Sequence, residues 1–130
     1  MPREERTNLK IFIIDIDGTI CENIPNELGV GKMRNAKPYN DSIRMINKLY
    51  DEGHYICFFS ARTDAHRRVT EAWLKRHGVK YHGLILNKPR KLAPYTGYHF
   101  IDDAHVRATT YRGKFTHFVK KNVEIEVFEE

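Results

Sequence analysis

Residues 9–19 constrain the fold more than any other part of the chain. An apolar segment, Ile11–Ile14, runs directly into two acidic residues, Asp15 and Asp17, followed by glycine and threonine. A short apolar run bounded in this way predicts a strand of a parallel sheet that is buried on both faces. In open α/β sheets, ligands bind at the carboxyl edge of such strands. Two carboxylates at that edge repel each other, so a bound cation or a function that needs the charge would explain them.

Three further apolar runs end in polar residues. Strands are predicted over residues 54–60, 81–86 and 98–101, and helices over residues 40–52 and 63–77. The polar residues at or just beyond the strand ends are Ser60, Lys88, Asp102 and Asp103. Strands that alternate with helices indicate an α/β fold with a mostly parallel sheet flanked by helices. The carboxyl ends of parallel strands share one edge, so we expect these side chains to converge there.

The length of 130 residues predicts a single domain over residues 1–130. Residues 1–8 are expected to form a flexible tail, and residues 20–37 a long, flap-like loop beside the two aspartates. Further along, residues 104–111 are predicted to form a short helix and residues 115–119 a fifth strand. Residues 123–128 alternate apolar and acidic side chains and predict an edge strand or an interface.

Three or four carboxylates at one sheet edge form an all-oxygen site, and such a site suits Mg²⁺, which pairs with phosphate. Lys88 would add a positive charge, and Ser60 with nearby backbone N–H groups could hold phosphate oxygens. A metal, a lysine and a hydroxyl around a carboxylate are the parts needed for phosphoryl transfer. Cysteine nucleophile chemistry at Cys21 is a weaker alternative, because no histidine stands out as its base.

Four short motifs, in their order along the chain, resemble the four motifs of the haloacid dehalogenase (HAD) superfamily. They are Asp15-Ile16-Asp17-Gly18-Thr19, Ser60, Lys88-Pro89 and Asp102-Asp103. The resemblance covers residues 11–103 and implies a Rossmann-like HAD fold. It also implies that Asp15 is the nucleophile that becomes an aspartyl phosphate. Asp17 would be the general acid/base and would bind Mg²⁺ through its backbone carbonyl, and Lys88 would neutralise Asp15 and the phosphate.

The same resemblance assigns the remaining site residues. Ser60, with Ala61 and Arg62 in the turn after it, would bind the transferring phosphoryl group. For Arg62, a solvated or salt-bridged side chain is an equal alternative. The metal would be held by Asp15, Asp17 and Asp102, with Asp103 assisting directly or through water. An aspartate at position 17 favours a phosphatase or phosphotransferase over a dehalogenase.

The gaps between the motifs are too short for a cap domain, so the resemblance is to the capless class, with residues 20–37 as a minimal flap. An open site accepts a bulky substrate or is closed by a neighbouring subunit of a homo-oligomer. The nearest resemblance is to small capsular-polysaccharide-associated phosphatases, which predicts a sugar phosphate or similar small metabolite as substrate. The alternatives are a nucleic-acid 3′-phosphatase, as in polynucleotide kinases, and a non-catalytic HAD-fold binding module.

The basic composition has three interpretations: solubility, attraction for an anionic substrate such as a phosphate ester, or a nucleic-acid surface. The formal charge is +5, and the basic residues are scattered along the chain without a dense tract. The first residues carry no signal-peptide pattern, and the longest apolar run is too short to span a bilayer. We therefore expect a cytoplasmic protein that does not associate with a membrane.

Overall fold

The structure, a computed structural model, describes residues 8–110 and the backbone of residues 122–124. The strands are β1 (Ile11–Ile14), β2 (Tyr55–Phe59), β3 (Gly83–Ile85), β4 (Ala108–Thr110) and β5 (Asn122–Glu124). The α-helices are α1 (Gly29–Arg34), α2 (Asn40–Asp51) and α3 (Arg67–Arg76), and short 3₁₀ helices cover Asn26–Leu28 and Asp64–His66.

The main sheet is parallel, with the order β1-β2-β3. Ile13 lies opposite Cys57, and Phe58 lies opposite Leu84. Helix α2 precedes β2, and α3 connects β2 to β3, so strands and helices alternate as the sequence predicts. The prediction of an α/β fold with a parallel sheet flanked by helices is confirmed.

One face of the sheet packs on the helices and forms the core. Ile14 on β1 and the alternate residues Ile56 and Phe58 on β2 are buried against α2 and α3. Ile46 of α2 and Leu74 of α3 are completely buried in this cluster. Each such side chain contributes about 1.5–3 kcal/mol relative to an exposed one. This packing holds β1 and β2 in register and so fixes where their carboxyl ends lie.

The prediction that β1 is buried on both faces is wrong for the part of the chain that the structure describes. Ile11 and Ile13 point away from the core and are 70% and 64% exposed, and Ile85 is 53% exposed on β3. The described helices that pack on the sheet cover the opposite face. An uninterrupted apolar run does not show which of its side chains are buried and which are exposed, because all four residues of β1 are apolar.

The flap segment, residues 20–37, contains more helix than predicted. Helix α1 begins at Gly29, buries Met33 completely and ends at Arg34. The indole Nε1 of Trp73 on α3 donates a hydrogen bond of 3.0 Å to the carbonyl of Ala36. The flap is therefore anchored on α3.

Two predicted elements are wrong. Residues 98–101 form no strand, and their side chains are exposed. The helix predicted over residues 104–111 is replaced, at Ala108–Thr110, by β4, which pairs antiparallel with β5. β5 overlaps the start of the edge strand predicted over residues 123–128, whereas the strand predicted over residues 115–119 lies outside the described residues. In the described part of the chain, no helix is long and apolar enough to cross a membrane.

Candidate active site

Asp15 lies one residue beyond β1, at the carboxyl edge of the sheet. Its Oδ1 is 3.5 Å from Nζ of Lys88, and the two side chains are 42% and 14% exposed, respectively. Partial burial raises the pKa of Asp15 above its usual value of 3.8, and the charge of Asp17 adds to this effect, whereas Lys88 and a backbone hydrogen bond at Ile16 lower it. The site therefore holds an accessible carboxylate beside one cation.

A tight turn after β1 turns the chain back beneath Asp15. Gly18 has a positive φ of 83°, which a side chain would make unfavourable, and its N–H donates to the carbonyl of Cys21. The N–H groups of Thr19 and Ile20 both donate to the carbonyl of Ile16. These bonds explain locally why the motif contains glycine directly after its second aspartate.

Asp17 is held by Arg62 in a two-point ion pair. Nε of Arg62 lies 3.0 Å from one carboxylate oxygen, and Nη2 lies 2.8 Å from the other. The guanidinium is only 2% exposed, and its Nη1 donates to the hydroxyl of Thr70 at 3.0 Å. The structure contains the salt bridge that is one alternative for Arg62, and its contact with a phosphoryl group stays a prediction. The guanidinium charge of Arg62 faces Asp17. The spacing of these two residues in the sequence does not indicate that they form a pair.

The turn after β2 is built from hydrogen bonds to the loop after β3. Ser60 is fully buried, and its hydroxyl accepts the N–H of Arg62 at 3.0 Å. The N–H of Lys88 donates to the carbonyl of Ser60, and the N–H of Asn87, at a positive φ of 65°, donates to the carbonyl of Arg62. These hydrogen bonds connect the turn of Ser60, Ala61 and Arg62 to the loop that carries Lys88.

Aromatic rings flank the ammonium group of Lys88. Its Nζ lies 4.9 Å from the ring centroid of Tyr98 and 5.7 Å from that of Phe59. Both distances are in the range of cation–π attraction. The hydroxyl of Tyr98 donates to the carbonyl of Pro89 at 2.6 Å, which fixes the ring beside the lysine. The lysine is therefore oriented by its surroundings as well as by Asp15.

Asp102 and Asp103 lie in an exposed bend. A carboxylate oxygen of Asp102 accepts the N–H of Ala104 at 3.1 Å, and this backbone hydrogen bond, together with bonds from Asp103, lowers the pKa of Asp102. Among the described residues, no group of three or more acidic, histidine or cysteine side chains is placed to hold a metal ion. The structure thus gathers Asp15, Asp17 and Lys88 with the turn after β2, but does not bring the second pair of aspartates into a metal-binding group.

The donor chemistry at the sheet edge fits a hard cation. Asp15 offers an accessible carboxylate, and the oxygen ligands of the motif are of the type that Mg²⁺ binds. The carboxylate of Asp17 is already bonded to Arg62. The backbone carbonyl of Asp17 is therefore the oxygen that would bind Mg²⁺, as the family resemblance implies.

Cys21 does not provide an alternative nucleophile. Its side chain is completely buried, with Sγ 3.9 Å from a carboxylate oxygen of Asp17. Burial, followed by the negative charge of Asp17, raises the pKa of the thiol to about 12. The reactive form of cysteine is the thiolate, so Cys21 is unreactive at neutral pH.

Two contacts that sequence reasoning missed connect the flap to the site. The side-chain amide of Asn26 donates to the carbonyl of Ala61 at 2.9 Å. Glu27 lies 3.6 Å from the guanidinium of Arg90, two residues beyond Lys88. The 3₁₀ helix at Asn26–Leu28 is therefore attached to both loops that border Asp15, and no local sequence pattern signals such long-range pairs.

The carboxyl-edge aspartates, the lysine that faces them and the parallel sheet are the features of a HAD-type phosphatase domain. A family model described as the polynucleotide kinase PNKP phosphatase domain matches residues 9–93, more than half of the chain. The chain therefore belongs to the HAD superfamily and, within it, to the family of PNKP phosphatase domains. The match includes Asp15, Asp17, Ser60 and Lys88 and ends before Asp102.

Solved structures share the fold. A structural-genomics target from Vibrio cholerae superposes with a TM-score of 0.53 and 24% identity, over 75% of this chain and 83% of that one. The Pnkp1/Rnl/Hen1 complex contains a chain that superposes with a TM-score of 0.56 and 24% identity, over 65% of this chain and 31% of that chain.

Curated relatives include two proteins of Glycine max, the stem 28 kDa and stem 31 kDa glycoproteins. Each is 36% identical in an alignment of 95 residues that covers 61% of this chain. The aligned part is 37% of the first relative and 33% of the second, so the chain spans about a third of their lengths.

Proposed function

We propose that the protein is a Mg²⁺-dependent phosphomonoesterase that acts through an aspartyl phosphate on Asp15. The observation that carries this proposal is the accessible carboxylate of Asp15 facing Lys88 at 3.5 Å, at the carboxyl edge of the sheet. Burial raises the pKa of Asp15 above its usual value, and the positive charge of Lys88 opposes this rise and so favours the ionised, nucleophilic form. Membership of the family of PNKP phosphatase domains supports the same chemistry.

In the first step, a carboxylate oxygen of Asp15 attacks the phosphorus, and the bond from phosphorus to the ester oxygen breaks. Asp17, in its protonated form, gives a proton to the leaving oxygen, so that an alcohol departs and Asp17 becomes a carboxylate. Water then attacks the phosphorus of the acyl phosphate and loses a proton to Asp17, and the bond from phosphorus to the Asp15 oxygen breaks, which releases phosphate and regenerates the carboxylate of Asp15. The two hydrogen bonds from the guanidinium of Arg62 use one lone pair on each carboxylate oxygen of Asp17. The remaining lone pairs can hold the proton that Asp17 transfers.

The backbone around Ser60 supports the phosphoryl position. The turn of Ser60, Ala61 and Arg62 is bonded to Lys88 and lies at the end of a parallel strand, where phosphate groups are commonly held. The N–H of Ser60 donates to Ile85 and that of Arg62 to the hydroxyl of Ser60, so the N–H of Ala61 is the donor that we propose for a phosphoryl oxygen. Mg²⁺, when bound, would neutralise charge on the phosphoryl oxygens. We propose that Asp15, the backbone carbonyl of Asp17 and Asp102 would hold it, with Asp103 assisting. The support for Asp102 and Asp103 is the family resemblance, because the described residues do not bring this pair into a metal-binding group.

The nucleophile is tested by replacing Asp15 with asparagine. Wild-type protein with Mg²⁺ should hydrolyse p-nitrophenyl phosphate, and Asp15→Asn should reduce kcat by several orders of magnitude. Asp51→Asn, which changes an exposed aspartate paired with Lys80, is the matched control and should retain wild-type activity. A non-catalytic binding module would show no hydrolysis in the wild-type protein, and equal rates for wild type and Asp15→Asn would exclude Asp15 as nucleophile.

Removal of divalent cations tests the metal assignment. Treatment with a chelator should abolish turnover, and added Mg²⁺ should restore it. Asp102→Asn should raise the Mg²⁺ concentration needed for half-maximal activity at least tenfold, whereas Asp64→Asn on the exposed 3₁₀ helix should not. An unchanged Mg²⁺ requirement in Asp102→Asn would remove this residue from the metal site.

Two substrate classes remain candidates. The resemblance to small capsular-polysaccharide-associated phosphatases favours a sugar phosphate or a similar small metabolite. The match to the PNKP phosphatase domain favours a polynucleotide with a 3′-phosphate. The comparison that separates them is kcat/KM for a panel of sugar phosphates against that for 3′-phosphorylated oligonucleotides.

A further inference from the structure

The turn after β2, residues 60–62, leaves one backbone N–H group without a partner. The N–H of Ser60 donates to the carbonyl of Ile85 at 2.9 Å, and that of Arg62 donates to the hydroxyl of Ser60 at 3.0 Å. Within the part of the chain that the structure describes, the N–H of Ala61 donates to no group, and Ala61 is only partly buried. The turn therefore offers a single unused donor at the carboxyl edge of the sheet.

The three carbonyl groups of the same turn are all bonded, but one of them differs from the other two. The carbonyls of Ser60 and Arg62 accept backbone N–H groups from the loop after β3, at 2.9 and 2.8 Å. The carbonyl of Ala61 accepts the side-chain amide of Asn26 at 2.9 Å, from a residue 35 positions earlier in the flap. A carbonyl oxygen can only accept, so the amide nitrogen of Asn26 must face it. One side chain of the flap thus completes the hydrogen bonds of this turn.

The planarity of the peptide bond transmits this contact to the unused N–H. The carbonyl of Ala61 and the N–H of Arg62 belong to one rigid plane. Asn26 holds the carbonyl and the hydroxyl of Ser60 holds the N–H, so this plane is fixed at both ends. The N–H of Ala61 belongs to the preceding plane, which is held only at the carbonyl of Ser60. The two planes meet at the Cα of Ala61, so release of one lets the other rotate and turns the unused N–H.

We propose that Asn26 is a positioning residue, which holds the N–H of Ala61 in the direction of the transferring phosphoryl group. This inference rests on the proposed function, in which that N–H binds a phosphoryl oxygen. Asn26 acts through Ala61, and its role requires no contact with the substrate. A donor that is already oriented costs no reorganisation when negative charge develops on the phosphoryl oxygens. The flap thereby contributes to the chemistry and not only to the shape of the entrance.

Binding of inorganic phosphate tests this role without turnover. Isothermal titration calorimetry with the full chain gives the Kd. Asn26→Ala should raise the Kd about tenfold, since a misaligned hydrogen bond to a charged oxygen loses about that factor. Asn26→Leu keeps the branched shape of the side chain without a charge or a donor, so it should raise the Kd to the same extent. An unchanged Kd in Asn26→Leu would overturn the proposal, because the amide donor would then be unnecessary.

Turnover of p-nitrophenyl phosphate with Mg²⁺ supplies a second readout. Asn26→Leu should lower kcat about tenfold, because the oriented donor acts on charge that develops in the transition state. If Asn26 only attached the flap to the rest of the chain, the substitution would raise KM and leave kcat unchanged. That result would reject a positioning role.

Asn35 provides a matched control in the same flap. Its side-chain amide also donates to a backbone carbonyl, that of Gly31 at 3.2 Å, but this hydrogen bond stays within the flap. Asn35→Leu should leave the phosphate Kd and kcat within about twofold of the wild-type values. Equal effects of Asn35→Leu and Asn26→Leu would show a general disturbance of the flap and would contradict the role of Asn26.

The two measurements separate this inference from the phosphatase proposal. If the wild-type protein hydrolyses p-nitrophenyl phosphate and the Asn26 variants keep its kcat and its phosphate Kd, the phosphatase stands and the role of Asn26 is wrong. If the wild-type protein binds phosphate but hydrolyses nothing, the phosphatase proposal fails, and the order of the Kd values still decides the role of Asn26. Absence of phosphate binding by the wild-type protein would overturn the positioning role as well.

Discussion

At the scale of single residues, the contact between Arg62 and Asp17 sets how the candidate site works. The charges of Arg62 and Asp17 have been removed from water, which costs free energy. The two hydrogen bonds between the side chains offset that cost only while both residues are present. Asp17 is thereby fixed next to Asp15, while Asp15 itself stays accessible. Arg62 is thus a positioning residue, and the two aspartates of the motif differ in environment although they are only one residue apart.

Replacement of Arg62 by alanine should destabilise the protein by about 3 kcal/mol or more, because it leaves the Asp17 carboxylate and the hydroxyl of Thr70 without their partner. Urea unfolding measures this change. Arg67→Ala, which removes an exposed pair with Glu71, should cost less than about 1 kcal/mol. Equal losses for the two variants would contradict the structural role of the buried pair.

Lys88 should control the acid limb of the pH–rate profile. Protonation of Asp15 removes the nucleophile, so activity falls as the pH drops through its pKa, which burial places above 3.8. The positive charge of Lys88 lowers that pKa, so Lys88→Gln should move the acid limb of the residual activity to higher pH. The measurement is kcat/KM against pH. Lys91→Gln, in the exposed part of the same loop, should leave the limb in place.

At the scale of helices and strands, the sequence was informative where local patterns were strong. The apolar run of β1 and the periodicity of α2 and α3 predicted elements that the structure contains. The clustering of Asp15, Ser60 and Lys88 followed from strand polarity alone. Helix α1 was missed because it is short and contains Gly29 and Gly31, which lower helix propensity.

Elements that depend on distant partners could not be predicted in the same way. Residues 98–101 are rich in aromatic and apolar side chains, as a strand often is, yet a strand forms only where it pairs with another strand, and in the described residues the edge of β1 away from β2 stays unpaired. The partners of Arg62 and Asn26 also could not be predicted, because they are distant in the sequence. Both form contacts with residues more than 30 positions away.

Helix α3 should be sensitive to truncation of its buried apolar side chains. Leu74 is completely buried between the helix and the sheet, so Leu74→Ala should lower the free energy of unfolding by about 2–5 kcal/mol. Denaturant titration checks this value. Lys75→Ala, one position along on the exposed face, should change stability by less than about 0.5 kcal/mol.

At the scale of the whole molecule, the described residues form one well-packed side of a sheet and leave β1 and β3 with exposed isoleucines on the other. The site lies at the sheet edge next to the flap, so access to Asp15 depends on how firmly the flap is held. That attachment consists of the amide of Asn26, the ion pair of Glu27 and the packing of α1 on α3. The flap beside the candidate site is thereby coupled to the core through α3.

Trp73 makes this coupling visible to spectroscopy. It is the single tryptophan of the chain and is 2% exposed. Its indole N–H is bonded to Ala36 at the end of the flap, and its ring lies 4.3 Å from that of His77. A movement of the flap away from α3 would break that bond, admit water and shift the emission to longer wavelength. Intrinsic fluorescence can therefore follow opening of the entrance without any label.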